Sequence, residues 1–496
     1  MVKLLDLAQL RAVQQQGKRV VMIYGDFNVL HPGHFRFIRF AAEQGDYLVV
    51  GLNDQSSSPG AFLSNEERWQ ALSCLDLVQE IVLIKDDLEA WLERIRPQVV
   101  VKGKEWQNQP NPETELLERL GTKLLFSSGE RFVSSLPYMR RAYDPLEWLE
   151  AELTLPYLRR HQCSLPSLME VLQGFQGLKV AVLGDLIVDE YQDCQPVGMS
   201  REDPTIVVTP QQLNRYLGGA GIVAAHARGL GAEVDFYSMV GEDPAAAFAR
   251  EKLAAFGVQP TLLVDPIRPT TVKKRYRALG KTLLRVNDFL EQDLSKELSQ
   301  TLLERFQEQA KHYDLVIFSD FNYGFLSPSV VQDISMLCRQ QGVPYVADSQ
   351  SSSQVGDLDK FRQVLLATPT EHEARLTTHN AQDGLVRVSA ALGDQLEAKH
   401  LFVTLGAEGV LIRTKMSSGE WDTDELPALN TNPVDPAGAG DAMLTSASMA
   451  LVAGADIWQA ALIGSLASAC QVGRVGNIPL SLEEIERGLT AAFVEG

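Results

Sequence analysis

At 496 residues the chain is longer than one ordinary core, so two or three domains are expected. A formal net charge of −19 speaks against general nucleic-acid binding, and any anionic ligand must be met by local basic clusters. No apolar run approaches the roughly 20 residues that span a bilayer, residues 1–19 lack a signal-peptide core, and five widely spaced cysteines form no metal or disulfide pattern, so a cytoplasmic location without a membrane partner is expected.

Residues 1–17 read as a short helix. Arg19 to Gly25 is an apolar strand that runs into a glycine turn, Phe35 to Gln44 a helix, and Tyr47 to Leu52 a second strand. Strand, turn, helix and strand make a βαβ unit of a parallel sheet. In such sheets ligands gather at the carboxyl ends of the strands. The segment that lands there, Gly25 to His34, holds His31 and His34 on either side of Gly33. Their spacing puts both imidazoles on one side of the first helical turn. From there they can donate to a phosphate and to the charge that builds up when a nucleotide's α-phosphate is attacked.

This half, about residues 18–140, resembles the HxGH nucleotidylyltransferases, and among them the small cytidylyltransferase-like enzymes with a Rossmann-like fold. The resemblance implies His31 and His34 as catalytic residues, with Gly25, Phe27 and Gly33 at the nucleotide. It also implies Arg68, in Asn65-Glu66-Glu67-Arg68, as an arginine for the triphosphate. Lys102, in Val99 to Gly103, stands where the family has a strand ending in lysine–glycine. Ser134 and Ser135 stand where it has a hydroxyl-rich anion site at a helix start. Asp26 and Asn28 depart from the family, which has a hydroxyl or thiol and an acid at those places.

The character changes over residues 141–175, where short helices join two units. An N-terminal domain over 1–145, a linker over 146–164 and a C-terminal domain over 165–496 are expected. Leu178 to Asp185 is again strand then turn, and Gly218-Gly219-Ala220-Gly221 opens a helix. Pro269 to Tyr276 and Leu284 to Asp288 read as paired strands. Alternation puts Lys273 and Arg275 on one face and Lys274 on the other. Two cations on one face of an acidic protein fit an anionic substrate group. Val316 to Asp320 and Pro344 to Asp348 are strands that end in acids. Alternating strands and helices from 178 to about 480 predict an α/β domain with a mostly parallel sheet.

The centre of this half is Asn432 to Met443. Gly438 and Gly440 lack Cβ atoms, so their backbone N–H groups can approach a ligand closely. A helix start adds free N–H donors and a positive dipole end, which suits phosphate oxygens. Asp441 could take a proton from a hydroxyl while a phosphoryl group arrives. Asp435-x-x-Gly438-Ala439-Gly440-Asp441 before a small-residue helix resembles the signature of ribokinase-like (PfkB-type) carbohydrate kinases.

That resemblance implies an anion hole at Gly438, Ala439 and Gly440, with Asp441 as the base. It implies sugar contacts at Asp185, Gly218 and Gly219, with Thr404, Gly406 and Gly409 beside the ATP and Glu373 near Mg²⁺ and phosphate, acting indirectly. A small β lid and a homodimer formed through it follow from the same likeness. The chain departs at Pro436 (usually Thr), Ile222 (usually Asn), Tyr323 (a Lys in the heptose kinases) and Thr370 (usually Asn).

The whole resembles the bifunctional enzymes of ADP-heptose synthesis, with the two parts in reversed order. The expectation is a kinase that phosphorylates a sugar or sugar phosphate with Mg²⁺ and ATP. It is fused to a transferase that moves a nucleotidyl group from CTP or ATP onto a sugar phosphate and releases pyrophosphate. Fusing consecutive steps keeps the intermediate's local supply high. In the alternative, one domain catalyses and the other is a nucleotide-sensing or dimerisation module. The lost polar groups at Ile222 and Tyr323, with the retained cations, point to an anionic sugar-like acceptor other than heptose 7-phosphate.

Overall fold

The computed structural model describes residues 3–494 apart from 5–6, 29, 31, 55–62, 86–87, 104–105, 107–110, 128–148, 150, 201, 204, 279–280 and 351–355. The chain forms two compact units, Met1–Glu147 and Trp148–Gly496. Among the described residues no helix is long and apolar enough to cross a membrane.

The first unit is built on a six-stranded sheet in the order β1-β4-β3-β2-β5-β6. The strands are β1 (Lys3–Leu4), β2 (Val20–Gly25), β3 (Tyr47–Asn53), β4 (Glu80–Ile84), β5 (Val99–Lys102) and β6 (Lys123–Phe126), and every pair is parallel. Neighbouring residues of one strand belong to different cores. Val20 and Met22 join one apolar cluster, Val21 and Ile23 the other. A sheet covered on both faces needs such a continuous apolar run. The stretch read as one helix over 1–17 is in fact β1 followed by the helix Leu7–Gln15. The helix after β2 begins at Pro32, earlier than the sequence pattern predicts. The order of strands reverses between β2 and β5, so their carboxyl ends open the crevice where ligands of such sheets bind.

The second unit holds a nine-stranded sheet in the order β11-β10-β7-β14-β15-β16-β17-β18-β19. It comprises β7 (Lys179–Gly184), β10 (Glu233–Val240), β11 (Gln259–Val264), β14 (Leu315–Asp320), β15 (Tyr345–Ser349), β16 (Leu366–Ala367), β17 (His400–Thr404), β18 (Val410–Lys415) and β19 (Trp421–Leu426). Pairing is parallel from β11 to β17 and antiparallel beyond. Again the two faces feed two cores, Val180 and Val182 in one, Ala181 and Leu183 in the other. A separate four-stranded sheet, β13-β12-β8-β9, is made of β8 (Leu186–Met199), β9 (Ile206–Gly219), β12 (Thr271–Ala278) and β13 (Lys281–Asp288). This is the small β lid.

The stretch 146–164, read as a linker, contains the helix Leu155–Arg160. Its Tyr157 and Leu158 are buried in the core of the second unit, and the Tyr157 hydroxyl donates to Trp458 O at 3.0 Å. His161 stacks on Trp458 with ring centroids 4.2 Å apart. The small-residue helix Ala439–Val452 lies against Ile457–Val472. The fit is close enough that a Cβ on Gly464 would meet the Ala447 Cβ at 3.2 Å. Its buried hydroxyls are satisfied within the helix, as when Thr445 donates to Asp441 O at 2.7 Å.

Candidate active sites

In the second unit the carboxyl ends of β7, β14 and β15 each deliver an acid. Asp320 ends β14, Asp185 follows β7, and Asp348 lies one residue before the end of β15. Asp441 joins them from the first turn of the helix Ala439–Val452 and is 5% exposed. Gly438 caps that helix at φ +80°, a backbone state that suits glycine. A Cβ there would also strike Asn477 Oδ1 at 2.6 Å. The first-turn N–H groups of Ala439, Gly440 and Asp441 have no acceptor within a helix, as at any helix start. Ser468 Oγ holds the Ala439 carbonyl at 2.8 Å, and Gln471 Nε2 holds the Ala437 carbonyl at 3.3 Å.

Burial pushes the Asp441 carboxyl up to about 7, Asp189 adds to the rise, and Lys273 and Gln350 oppose it. Gln350 Nε2 donates to Asp441 Oδ1 at 3.0 Å. Asp348 is pushed well above the usual carboxylate range by burial and by the nearby charges of Glu373 and Asp441. Glu373 itself closes a capping box: its Oε2 accepts the Thr370 N–H at 2.8 Å, and Thr370 Oγ1 accepts the Glu373 N–H at 3.2 Å. Thr370 also bridges to Thr404, which puts the loop of Gly406 and Gly409 beside this helix start.

The lid meets the same place from the other side. Lys273 Nζ lies over the rings of Phe321 and Tyr323, at 4.6 and 5.3 Å from their centroids. Lys274 instead pairs with Glu190 at 2.9 Å, so the two faces of β12 divide as alternation predicts. Arg275, expected beside Lys273 as a substrate cation, has an acid partner within the protein. Its Nη1 pairs with Asp189 Oδ1 at 2.5 Å, and the guanidinium lies over Tyr191 at 5.0 Å. Asp189 Oδ2 also accepts from Asn477 Nδ2 at 3.2 Å. Gly218 is explained by that carboxylate, since a Cβ there would strike Asp189 Oδ2. Gly219 caps the helix that follows. Asp185, expected to face the sugar, has partners within the protein. Its Oδ2 takes the N–H groups of Phe321 at 2.9 Å and Tyr323 at 3.3 Å, and its Oδ1 takes that of Phe325 at 3.3 Å. A carboxylate has roughly four acceptor positions, so Asp185 chiefly anchors the loop after β14.

Asp435, the first residue of the glycine motif, is a structural hub. Its Oδ1 accepts from Ala437 N at 3.2 Å, and its Oδ2 from Gly476 N at 3.1 Å and from the lid's Tyr191 hydroxyl at 2.8 Å. Asp189, Asn477 and Gln350 are likewise neighbours of the glycine loop and Asp441 that sequence reasoning missed. Only Asp435 carried a signal, as the first letter of its motif; the others meet across long stretches of chain.

In the first unit, the loop after β2 turns at Phe27, which is 4% exposed with φ 43°. Gly33 lies in the first turn of the helix Pro32–Ala42, and His34 sits with its ring 5.5 Å from that of Phe27. His31, Ser134 and Ser135 lie outside the described residues. Asp26 Oδ1 accepts from Asn53 Nδ2 at 2.8 Å, and Asn28 Oδ1 accepts from Leu63 N at 3.3 Å.

Arg68, expected at the triphosphate, and Lys102, expected among the nucleotide or anion contacts, both have partners within the protein. Arg68 is fully buried. Its Nε donates to Leu63 O at 3.0 Å, its Nη1 to Asp26 O at 2.8 Å and Asn53 O at 2.9 Å, and its Nη2 to Asn65 Oδ1 at 2.6 Å. It is a strut that fixes the loop after β2 to the end of β3. Lys102 Nζ pairs with Glu113 Oε1 at 2.5 Å, and the Tyr24 hydroxyl donates to the same oxygen at 2.5 Å. Burial would raise the Glu113 carboxyl, but its bonds from Lys102 and Tyr24 hold it below the usual range. The Lys102 ammonium also lies 4.7 Å from the Trp106 ring centroid.

With this geometry in place, comparison with known proteins decides the family. The family described as pfkB family carbohydrate kinase matches residues 178–484. The chain belongs to the pfkB family of carbohydrate kinases. Ahead of this pfkB unit, residues 22–132 match the family described as cytidylyltransferase-like. A protein named bifunctional protein HldE from a Nitratiruptor species is 32% identical over 312 residues, covering 62% of this chain and 64% of that protein. The HldE of Caulobacter vibrioides is 30% identical over 326 residues, with 64% and 65% covered. The chain thus spans about two-thirds or slightly less of the curated relatives it matches.

Among solved structures, Arabidopsis thaliana ribokinase complexed with ribose and ATP superposes with a TM-score of 0.50 at 16% identity, covering 63% of this chain and 99% of that one. Phosphofructokinase-2 from Escherichia coli, in complex with substrates and products, gives 0.51 at 16% identity, with 63% and 98% covered. At such identity the likeness speaks for the fold of the pfkB unit alone. Both units are therefore α/β, a Rossmann-like one followed by a ribokinase-like one with its lid.

Proposed function

We propose that the chain is a two-activity enzyme of nucleotide-activated sugar synthesis. Its pfkB unit phosphorylates an anionic sugar-like acceptor with ATP. The observation that carries this reading is Asp441, a buried carboxyl raised to about 7 at a helix start behind Gly438. A base poised near the working pH can take a hydroxyl proton, yet is charged enough to do so. The N–H groups of Ala439, Gly440 and Asp441 stabilise the phosphoryl group as its charge spreads. Thr404, Gly406 and Gly409 border the nucleotide. Lys273 holds the acceptor's anionic group near the base, whereas Arg275 holds Asp189 in place.

Mg²⁺ needs only one or two carboxylates when the nucleotide's phosphates supply its other ligands. The mutual repulsion of Asp348, Glu373 and Asp441 suits a cation delivered with ATP. Asp348 and Glu373 would hold it, through water, since Glu373 caps a helix. The ion would neutralise charge on the transferred phosphoryl group.

The first unit transfers a nucleotidyl group from CTP or ATP through His31 and His34, with Gly25, Phe27 and Gly33 framing the nucleotide. Ser134 and Ser135 would complete its anion site. A homodimer through the lid is supported by the apolar side chains it exposes, among them Val197, Met199, Ile206 and Leu284. Free thiols at all five cysteines suit a reducing cytoplasm.

The test uses the full chain with a panel of sugars and sugar phosphates, following ADP and pyrophosphate release with ATP and with CTP. Production of both supports the proposal, and production of neither overturns it. A second reading, with catalysis confined to the pfkB unit, is favoured by the inward-turned Arg68 and Lys102. ADP without pyrophosphate, whatever the donor, would select it.

A further inference from the structure

Gln350 directly follows β15 and is half-buried. Its Nε2 donates to Asp441 Oδ1 at 3.0 Å, and it opposes the rise that burial imposes on the Asp348 carboxyl. A carboxylate only accepts, so the amide must present nitrogen to it. Gln350 therefore stands as a neutral donor to Asp441. The charged groups that face Asp441 are Lys273 from β12, Asp189 from β8 and Asp348 from β15. Asp189 is paired with Arg275 and bonded to Asn477. Asp348 is itself faced by Glu373.

We propose that Gln350 is a positioning residue for phosphoryl transfer, tying Asp441 by Oδ1 and leaving Oδ2 to take the acceptor's proton. In that step the acceptor O–H bond breaks and its proton passes to Oδ2. The freed electron pair forms the bond to the γ-phosphorus of ATP, and the bond from that phosphorus to the β,γ-bridging oxygen breaks as ADP leaves. The amide favours the charged carboxylate because it bonds to that form. It cannot carry the proton away, since an amide does not titrate in this range. A charged side chain here would do neither job as well. A lysine would neutralise the base, and an acid would repel it.

The inference rests on the kinase reading, so the experiment reads two quantities in the full chain. One is the titration midpoint of the Asp441 carboxyl, followed by carbon NMR and assigned by its loss in Asp441→Asn. The other is the pH profile of ADP formation with an acceptor turned over by the wild type. In Gln350→Leu the midpoint should rise by about one to two pH units, the gain a charged hydrogen bond confers. The acidic limb of kcat should rise with it, while KM for ATP stays within about twofold. Gln350→Glu, nearly the same shape, should move the midpoint at least as far and decides the matter if Gln350→Leu does not fold. An unchanged midpoint overturns the role of Gln350. A wild type that turns over no acceptor overturns the kinase reading, while the Asp441 titration still decides whether Gln350 tunes that carboxylate.

Discussion

The two units treat their cations differently. In the first, Arg68 and Lys102 sit at the ends of elements that border the crevice, yet both are satisfied by the protein itself, Arg68 by carbonyl and amide oxygens and Lys102 by Glu113. In the second, Arg275 on β12 is held by Asp189 in the same way, whereas Lys273, over the rings of Phe321 and Tyr323, also acts on the charge of Asp441. A cation at a motif's position is a candidate ligand only until its internal partners are counted. An arginine fully out of water with four good acceptors has little reason to leave them.

Breaking this comparison begins with the strongest effect. Asp441→Asn keeps the shape and removes the base, so ADP formation should fall by about 10²–10⁴. Pyrophosphate release from the first unit should continue, and a mutant with wild-type turnover would end the role given to Asp441. Next comes Arg68→Met, which strands several buried acceptors. It should lower the stability of the first unit by about 3 kcal/mol, seen as an earlier unfolding transition. An unchanged melting curve with a raised KM for the nucleotide would show instead that Arg68 reaches the triphosphate.

The contrast within β12 is sharpened by a pair of variants. Lys273→Met should raise KM for the acceptor about tenfold, the scale of one charged contact at about 1.4 kcal/mol. Arg275→Met should disturb Asp189 and the melting temperature more than KM. Equal KM effects from both would mean that the two cations share the substrate after all.

The last prediction concerns pH. Asp441 in the folded chain is raised from 3.8 to about 7, so its contribution to stability is present below pH 4 and lost as pH climbs through 7. Asp441→Asn should therefore melt at a higher temperature than the wild type at pH 8. The two should converge near pH 4. A mutant that melts lower at pH 8 would show that the carboxylate is stabilised by its surroundings.

Much of the fold was legible because both sheets are covered on two faces. Runs such as Val20 to Ile23 and Val180 to Leu183 can only be buried strands, and the glycine turns after them mark where parallel strands end. The site was legible where its parts are close in sequence, as with Gly438 to Asp441. It was not where partners come from afar. Nothing near Arg68 announces that Asp26 and Asn53 offer it carbonyls, and nothing near Gly218 announces the carboxylate of Asp189. The partners of Asp185 were hidden for the same reason. Its oxygens accept from N–H groups that lie 136–140 residues further along. The docking of the short helix within 146–164 was not legible, because Tyr157 and Leu158 are too few to form a pattern, yet enough to bury it.

Tyr191 and Asp189 lie on a lid strand, yet they bond to Asp435 and Asn477 around the glycine loop, and the ring of Tyr216 fills the space beside Gly476. The lid is thus also part of the frame that shapes the glycine loop. Exchanging the lid to alter acceptor choice would transplant half of a joint, and the first symptom would be poor use of ATP. A chimera that carries Asp189, Tyr191 and Tyr216 across with the new strands would keep the joint whole.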